Sequence, residues 1–335
     1  MDDITSTRWS ITSPADLLVA VPYLLGFHPD DGDAVWVAFR HQRLRWMGAT
    51  GLPDPGTDPA QIRAVVAAIV ARFAELHATS IMMVGYGPPE QVTPLADAVR
   101  AVAEQTGITI GDLLRLTGNR YHSYQCGNPA CCPPEGRILD PDASPIAAQA
   151  TLAGLVAFPD RRQYLGQVAP ITGSARQAMT RATARARSRL DQELDTHRET
   201  PADTIITNLG QSAIHAAVAD PNRWPLPDDE AAWLTLLLAH DGVRDLAWSH
   251  SNGHPEHLAL WLDLTRRTEP DLLGNTAGLC ALSAFQQGKD ILARAALDRI
   301  VHDDPTHPLA TVATTGIDER LIGTDPQDLT QTTDG

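Results

Sequence analysis

The feature that most constrains this chain is a change of pattern near residue 142. Before it, apolar runs of strand length alternate with runs of helical spacing; after it, helical spacing stands almost alone. Short runs rich in β-branched and aromatic residues read as strands, whereas apolar residues recurring every three or four positions read as helices. Ser13-Pro14-Ala15-Asp16 opens the first helix, with serine as cap, proline at the first helical position and an acid at the positive end. Leu17 to Leu25 continue it, Pro22 is expected to kink or end it, and Gly26 stops it. Residues 34–40 (AVWVAFR) and 44–49 (LRWMGA) read as a β-hairpin across His41-Gln42. Asp58-Pro59 opens a helix to about His77, and the continuous apolar run 79–85 reads as a strand covered on both faces. Pro88-Pro89-Glu90 starts the next helix, which Gly107 ends, and 108–117 with 120–125 read as a second hairpin around Gly118-Asn119, with a helical turn at the start of 110–116 as the alternative. The order α-β-β-α-β-α-β-β defines an α/β (or α+β) mixed-sheet domain over residues 1–142, with Trp9 as its first packed residue.

An all-α domain is expected over 143–316. Its helices are 147–158, a short one from Pro159, 174–198, 203–219, 228–240, 243–250, 255–267, 275–287 and 290–302. The last two, joined at Gly288-Lys289, are similar to half of a tetratricopeptide-type hairpin, but no second unit of ~34 residues is found. The Thr-, Asp- and Gln-rich tail, 317–335, is expected to be flexible. Two domains also suit a chain of 335 residues, which exceeds a single ordinary core.

Charge narrows the function classes. A net charge of −15 speaks against nucleic acid, whose binding needs cations to displace phosphate counterions, and against an anionic membrane surface. No run approaches the ~20 apolar residues of a membrane span, and the acidic start MDDITSTRW does not read as a signal peptide. The expectation is a cytoplasmic protein with reduced cysteines and a protein partner.

Three of the four cysteines fall within Gly118–Gly136, GNRYHSYQCGNPACCPPEG. Cys126, Cys131 and Cys132, with His122, offer four soft ligands, the number a structural zinc site takes. Adjacent Cys131 and Cys132 point opposite ways in an extended chain, so a shared ion requires a tight turn there. Three readings stand side by side: structural zinc, a disulfide or redox pair such as Cys126–Cys132, and free thiols. A nucleophilic cysteine would need a base, and His122 or His28 is the candidate.

Other groups have plainer readings beside their functional ones. His28, Asp30, Asp31 and Asp33 offer ligands to a divalent ion, yet Asp and Gly are also what a turn before a strand requires. His250, His254 and His257 in HSNGHPEH are a loop metal site or a polar interhelical turn, since Asn252-Gly253 and Pro255 break any helix through them. Arg181, Arg185 and Arg189 form a row on one helix, a docking stripe or a solvated face, with Arg187–Asp191 and Arg189–Glu193 as intrahelical pairs. Cys280 sits in an apolar helix and reads as core.

The strings SPADLLVAVPYLLGFHPDD (13–31), YHSYQCGNPACCPPEG (121–136) and FQQGKDILARAALDRIVHDDPTHPLA (285–310) together resemble an uncharacterised family of high-GC Gram-positive bacteria, a domain of unknown function. The resemblance spans nearly the whole chain, transfers no catalytic residues, and implies a cytoplasmic bacterial setting. No nucleotide loop, nucleophile elbow or HExxH helix is present. The leading expectation is therefore a non-enzymatic binding or adaptor protein with a structural cysteine loop. The alternative is a small-molecule enzyme with a site at the sheet edge near His28 and that loop.

Overall fold

A computed structural model describes residues 11–41, 43–303 and 305–306. Trp9, Gln42 in the first hairpin connection and the tail from residue 317 lie outside the described residues. The chain divides between Tyr164 and Leu165 into two compact units.

The first unit begins with α1 (Pro14–Leu25), where Ser13 Oγ accepts from the Asp16 amide at 3.1 Å. Gly26 closes it at φ 87°, donating to Pro22 O. Pro22 does not end the helix: it is buried within it beside Val21 and Leu25. Burial of this apolar face outweighs the missing backbone hydrogen bond, which costs about 3 kcal/mol together with ring strain in an exposed helix.

The sheet follows as β1 (Asp33–Arg40), β2 (Arg43–Gly51), β3 (Ser80–Tyr86), β4 (Thr109–Thr117), β5 (Arg120–Ser123) and β6 (Arg137–Ile138). Their spatial order is β2-β1-β3-β4-β5-β6. Among these six strands β3 and β4 pair in parallel and the other neighbours antiparallel, so the sheet is mixed. Helices α2 (Pro59–Glu75) and α3 (Pro89–Thr106) supply the connections around β3. Ala34 to Ala38 are all buried, so both faces of β1 are covered. On one face Trp36 meets Phe73 of α2, and a Cβ at Gly85 of β3 would overlap Val92 of α3. That glycine lets helix and sheet approach closely.

The predicted helix 147–158 is cut short. Helix α4 (Pro145–Leu152) stops before Gly154, which takes φ 71°, and Phe158 forms a parallel bridge with Phe27. Leu152, Leu155 and Val156 are exposed, so no core holds that segment helical. Ile146 of α4 packs instead on Val19 and Ala20 of α1. The short α5 (Arg161–Leu165) begins in this unit, with Tyr164 against Phe27 and Phe158.

The second unit is helical: α6 (Gly173–Thr196), α7 (Ala202–Val218), α8 (Asp228–Leu238), α9 (Asp241–Ser251), α10 (Leu258–Arg267), α11 (Leu273–Gln286) and α12 (Asp290–Asp303). Two of the three arginines in the α6 row, Arg185 and Arg189, are engaged rather than free. Arg185 pairs with Asp229 of α8, and the Arg189 guanidinium lies 3.9 Å over the Trp233 ring. Arg187 reaches Asp271. These stand in place of the expected intrahelical pairs with Asp191 and Glu193: Asp229 and Trp233 come from α8, against which α6 packs, and Asp271 from the 3-10 turn Pro270–Leu272 ahead of α11. Buried alanines line α11 and α12, and Gly288 turns between them at φ 66°. Among the described residues, no helix is long and apolar enough to cross a membrane.

Candidate metal centre

Where β5 ends, the chain leaves the sheet at a tightly held point. The Tyr124 amide donates to Leu113 O at 2.8 Å, and its carbonyl accepts from Arg100 of α3 at 2.8 Å. Its hydroxyl shares a 2.8 Å hydrogen bond with Thr93 Oγ1. The far end is fixed by the β5–β6 pairing, by Leu139 N to Asn119 O at 2.8 Å, and by Arg120 donating to Gly136 O at 2.8 Å. The cysteines lie between these anchors.

Asn128 shapes the loop. Its side-chain Oδ1 accepts from the Ala130 amide at 3.0 Å, and its carbonyl accepts from Cys131 N at 3.0 Å and Cys132 N at 2.8 Å. An asparagine ahead of a proline favours this kind of self-bonded turn. The curl supplies what an extended chain cannot: adjacent cysteines whose sulfurs share one side. The sulfurs of Cys126, Cys131 and Cys132 all lie within 4.8 Å of one another.

The sulfurs differ in their hold on a proton. Hydrogen bonding to the Asn128 backbone and to the Cys132 thiol draws the Cys126 thiol below its ordinary value. Burial and the same bond to Cys126 push Cys132 up to about 11. Cys126 thus ionises before Cys132. Cys131 is exposed, which leaves the cluster accessible.

His122 is not part of this group. Side chains alternate along a strand, so it faces away from Tyr121 and Ser123. Its Nε2 would stand 2.7 Å from a Cβ placed on Gly136, which is free of one at φ 78°. Burial and the neighbouring Arg115 hold its imidazole below the usual value. The structure therefore gathers three of the four expected ligands.

Three thiolates fit a zinc ion. A Zn–S distance of about 2.3 Å places sulfurs about 3.8 Å apart in a tetrahedron, within reach of small side-chain adjustments here. The fourth position is left to a water or an outside donor.

His28 lies elsewhere in the first unit. It lines a cavity of about 230 Å³ with Asp31, Tyr23, Tyr86 and Leu116, at the carboxyl ends of β3 and β4. That cavity includes neither Tyr121, His122 nor a cysteine, so His28 and the thiols do not share a pocket. The acidic turn is self-bonded: Asp33 Oδ2 accepts from Asp30 N at 3.0 Å, and Gly32 N donates to Tyr86 O at 2.7 Å. Cys280 is fully buried, and burial pushes its thiol up to about 12, as a core residue requires. In the helical unit His254 and His257 come together with Glu256, while His250 meets His215, a residue that its place in an ordinary helical pattern gave no reason to single out.

A six-stranded mixed-sheet unit bearing a three-thiol loop, followed by a helical unit, defines the class of protein. The chain belongs to the family described as domain of unknown function DUF4192, which matches residues 14–321 and so takes in both units and the loop. No curated protein and no solved structure matches it.

Proposed function

We propose that this is a cytoplasmic, non-enzymatic adaptor whose cysteine loop closes on one zinc ion and presents a surface to a protein partner. The observation that carries it is the Asn128 turn, which brings three sulfurs within 4.8 Å of one another. Sulfur donors favour zinc over hard cations. Zinc would ionise all three thiols and fix a loop otherwise held mainly at its two ends. With three protein ligands, the remaining position is open to a donor side chain from the partner. The net charge of −15 speaks against a nucleic-acid partner. Zinc titration of the metal-free chain against a chromophoric chelator tests this. One equivalent should bind and raise the thermal midpoint, and Cys126→Ser and Cys131→Ser should each weaken it. Absence of stoichiometric zinc would overturn the reading.

A second reading rests on the 230 Å³ cavity at His28. Open sheets with parallel strands bind small molecules at the strands' carboxyl ends, which is where it lies. A small-molecule library screened by thermal shift should then yield binders lost in His28→Ala with zinc binding intact. A library with no such binder would remove this reading.

A further inference from the structure

We infer that the helical unit carries a separate metal site, formed by His254, Glu256 and His257, that takes a borderline divalent ion such as zinc, cobalt or nickel. It does not depend on the cysteine loop.

The local sequence builds it. Helix α9 stops at Ser251, Gly253 turns the chain at φ 80°, and Pro255 opens a single 3-10 turn over Pro255–His257 that leads into α10. This reversal, rather than a continuous helix, stacks the His254 and His257 rings 5.1 Å apart with planes 20° from parallel. Glu256 Oε1 stands 3.0 Å from His254 Nδ1. One donor atom from each of the three residues lies within 4.8 Å of the others.

The independent observation is at His257. The residue is only 5% exposed, and its Nδ1 is shut from solvent with no hydrogen-bond partner. Buried polar atoms are nearly always paired, so an orphan nitrogen on a ring that stands among further donors points to a missing ligand. The ring is held in place by the edge of Trp224 at 5.7 Å, and Trp224 is itself anchored to Ala217 O at 2.8 Å.

The surroundings suit a cation. His250 and His215 occupy the last turns of α9 and α7, and helix C-termini carry partial negative charge. Their Nε2 atoms are 3.1 Å apart, so one ring donates to the other. Two imidazoles and one carboxylate form a donor set for zinc, iron, cobalt or nickel, whereas magnesium and calcium prefer all-oxygen sites.

The test uses the full chain carrying Cys126→Ser, Cys131→Ser and Cys132→Ser, titrated with cobalt(II) and read by absorption and calorimetry. One cobalt should bind with visible d–d bands and no thiolate charge-transfer band, and zinc but not magnesium should displace it. In the unmodified chain the same site should appear as a second equivalent without the thiolate band, which covers a serine variant that folds poorly. His254→Ala and Glu256→Gln, both at exposed positions, should each weaken binding at least about tenfold with unchanged circular dichroism. No stoichiometric cobalt outside the thiols, or equal affinity in both of these variants, would overturn the inference and show a turn held by ring stacking alone.

Discussion

Ser123 Oγ donates a 2.6 Å hydrogen bond to Asp112 Oδ1, joining the last residue of β5 to β4 at the root of the cysteine loop. The same oxygen accepts from Leu113 N at 2.8 Å. Asp112 is only 8% exposed, and burial raises its pKa despite both bonds. A carboxyl whose folded pKa lies above its unfolded value contributes stability below the unfolded value and loses it as pH rises through the folded one. Asp112→Asn keeps an oxygen for both donors and removes the charge. It should raise stability at neutral pH, with a thermal midpoint higher by about 2–4 °C for a ~1 kcal/mol gain, and flatten the pH dependence. Denaturation series at acid and neutral pH check this.

Asn128→Ala removes the side-chain acceptor that starts the loop's turn. Zinc affinity should fall about tenfold, while metal-free stability changes by no more than ~1 kcal/mol. Asn128→Asp, which keeps the acceptor, should bind zinc nearly as the parent does. Chelator competition on both variants reads the difference.

Arg267 is a buried charge of the helical unit with several partners. It donates to Asp228 at 3.0 Å, Asp263 at 2.6 Å and Leu226 O at 2.8 Å. Asp263 is held up by burial, with Arg267 pulling it back down. Arg267→Ala leaves that acid and a carbonyl without their donor, so a loss of about 3–5 kcal/mol is expected, measured from denaturant midpoints.

Gly85→Ala would drive a methyl into Val92 where α3 lies on β3. Overpacking of this kind costs about 1–3 kcal/mol, and the thermal midpoint should fall accordingly. Gly107→Ala, where a Cβ meets nothing within 4 Å, is the comparison: its cost should come from the left-handed φ of 75° alone.

What the sequence made legible was local. Ser13 and Asp58 cap their helices through side-chain bonds only two or three residues long, so those starts could be read directly. Gly26 and Gly107 end helices by adopting left-handed backbone, an equally local event. The rest depends on distant partners. β6 is two exposed residues that exist as a strand only by pairing with β5, and no periodicity marks them. The end of α4 is set by Gly154 and by Phe158 reaching Phe27. The three sulfurs could be nominated from composition, but their convergence rests on carbonyl geometry at Asn128. His122 looked equivalent to them in sequence, yet strand alternation turns it away. His215 and His250 are 35 residues apart and meet only because α7 packs on α9.

The most direct test of the metal centre is the zinc content of the chain purified without chelators, beside that of the variant with Cys126, Cys131 and Cys132 all changed to serine. The unmodified chain should carry about one more zinc ion than the variant, with its three loop thiols protected from a thiol reagent until that zinc is removed. Equal zinc in the two proteins, with all three thiols reacting freely from the start, would contradict a cysteine-bound ion.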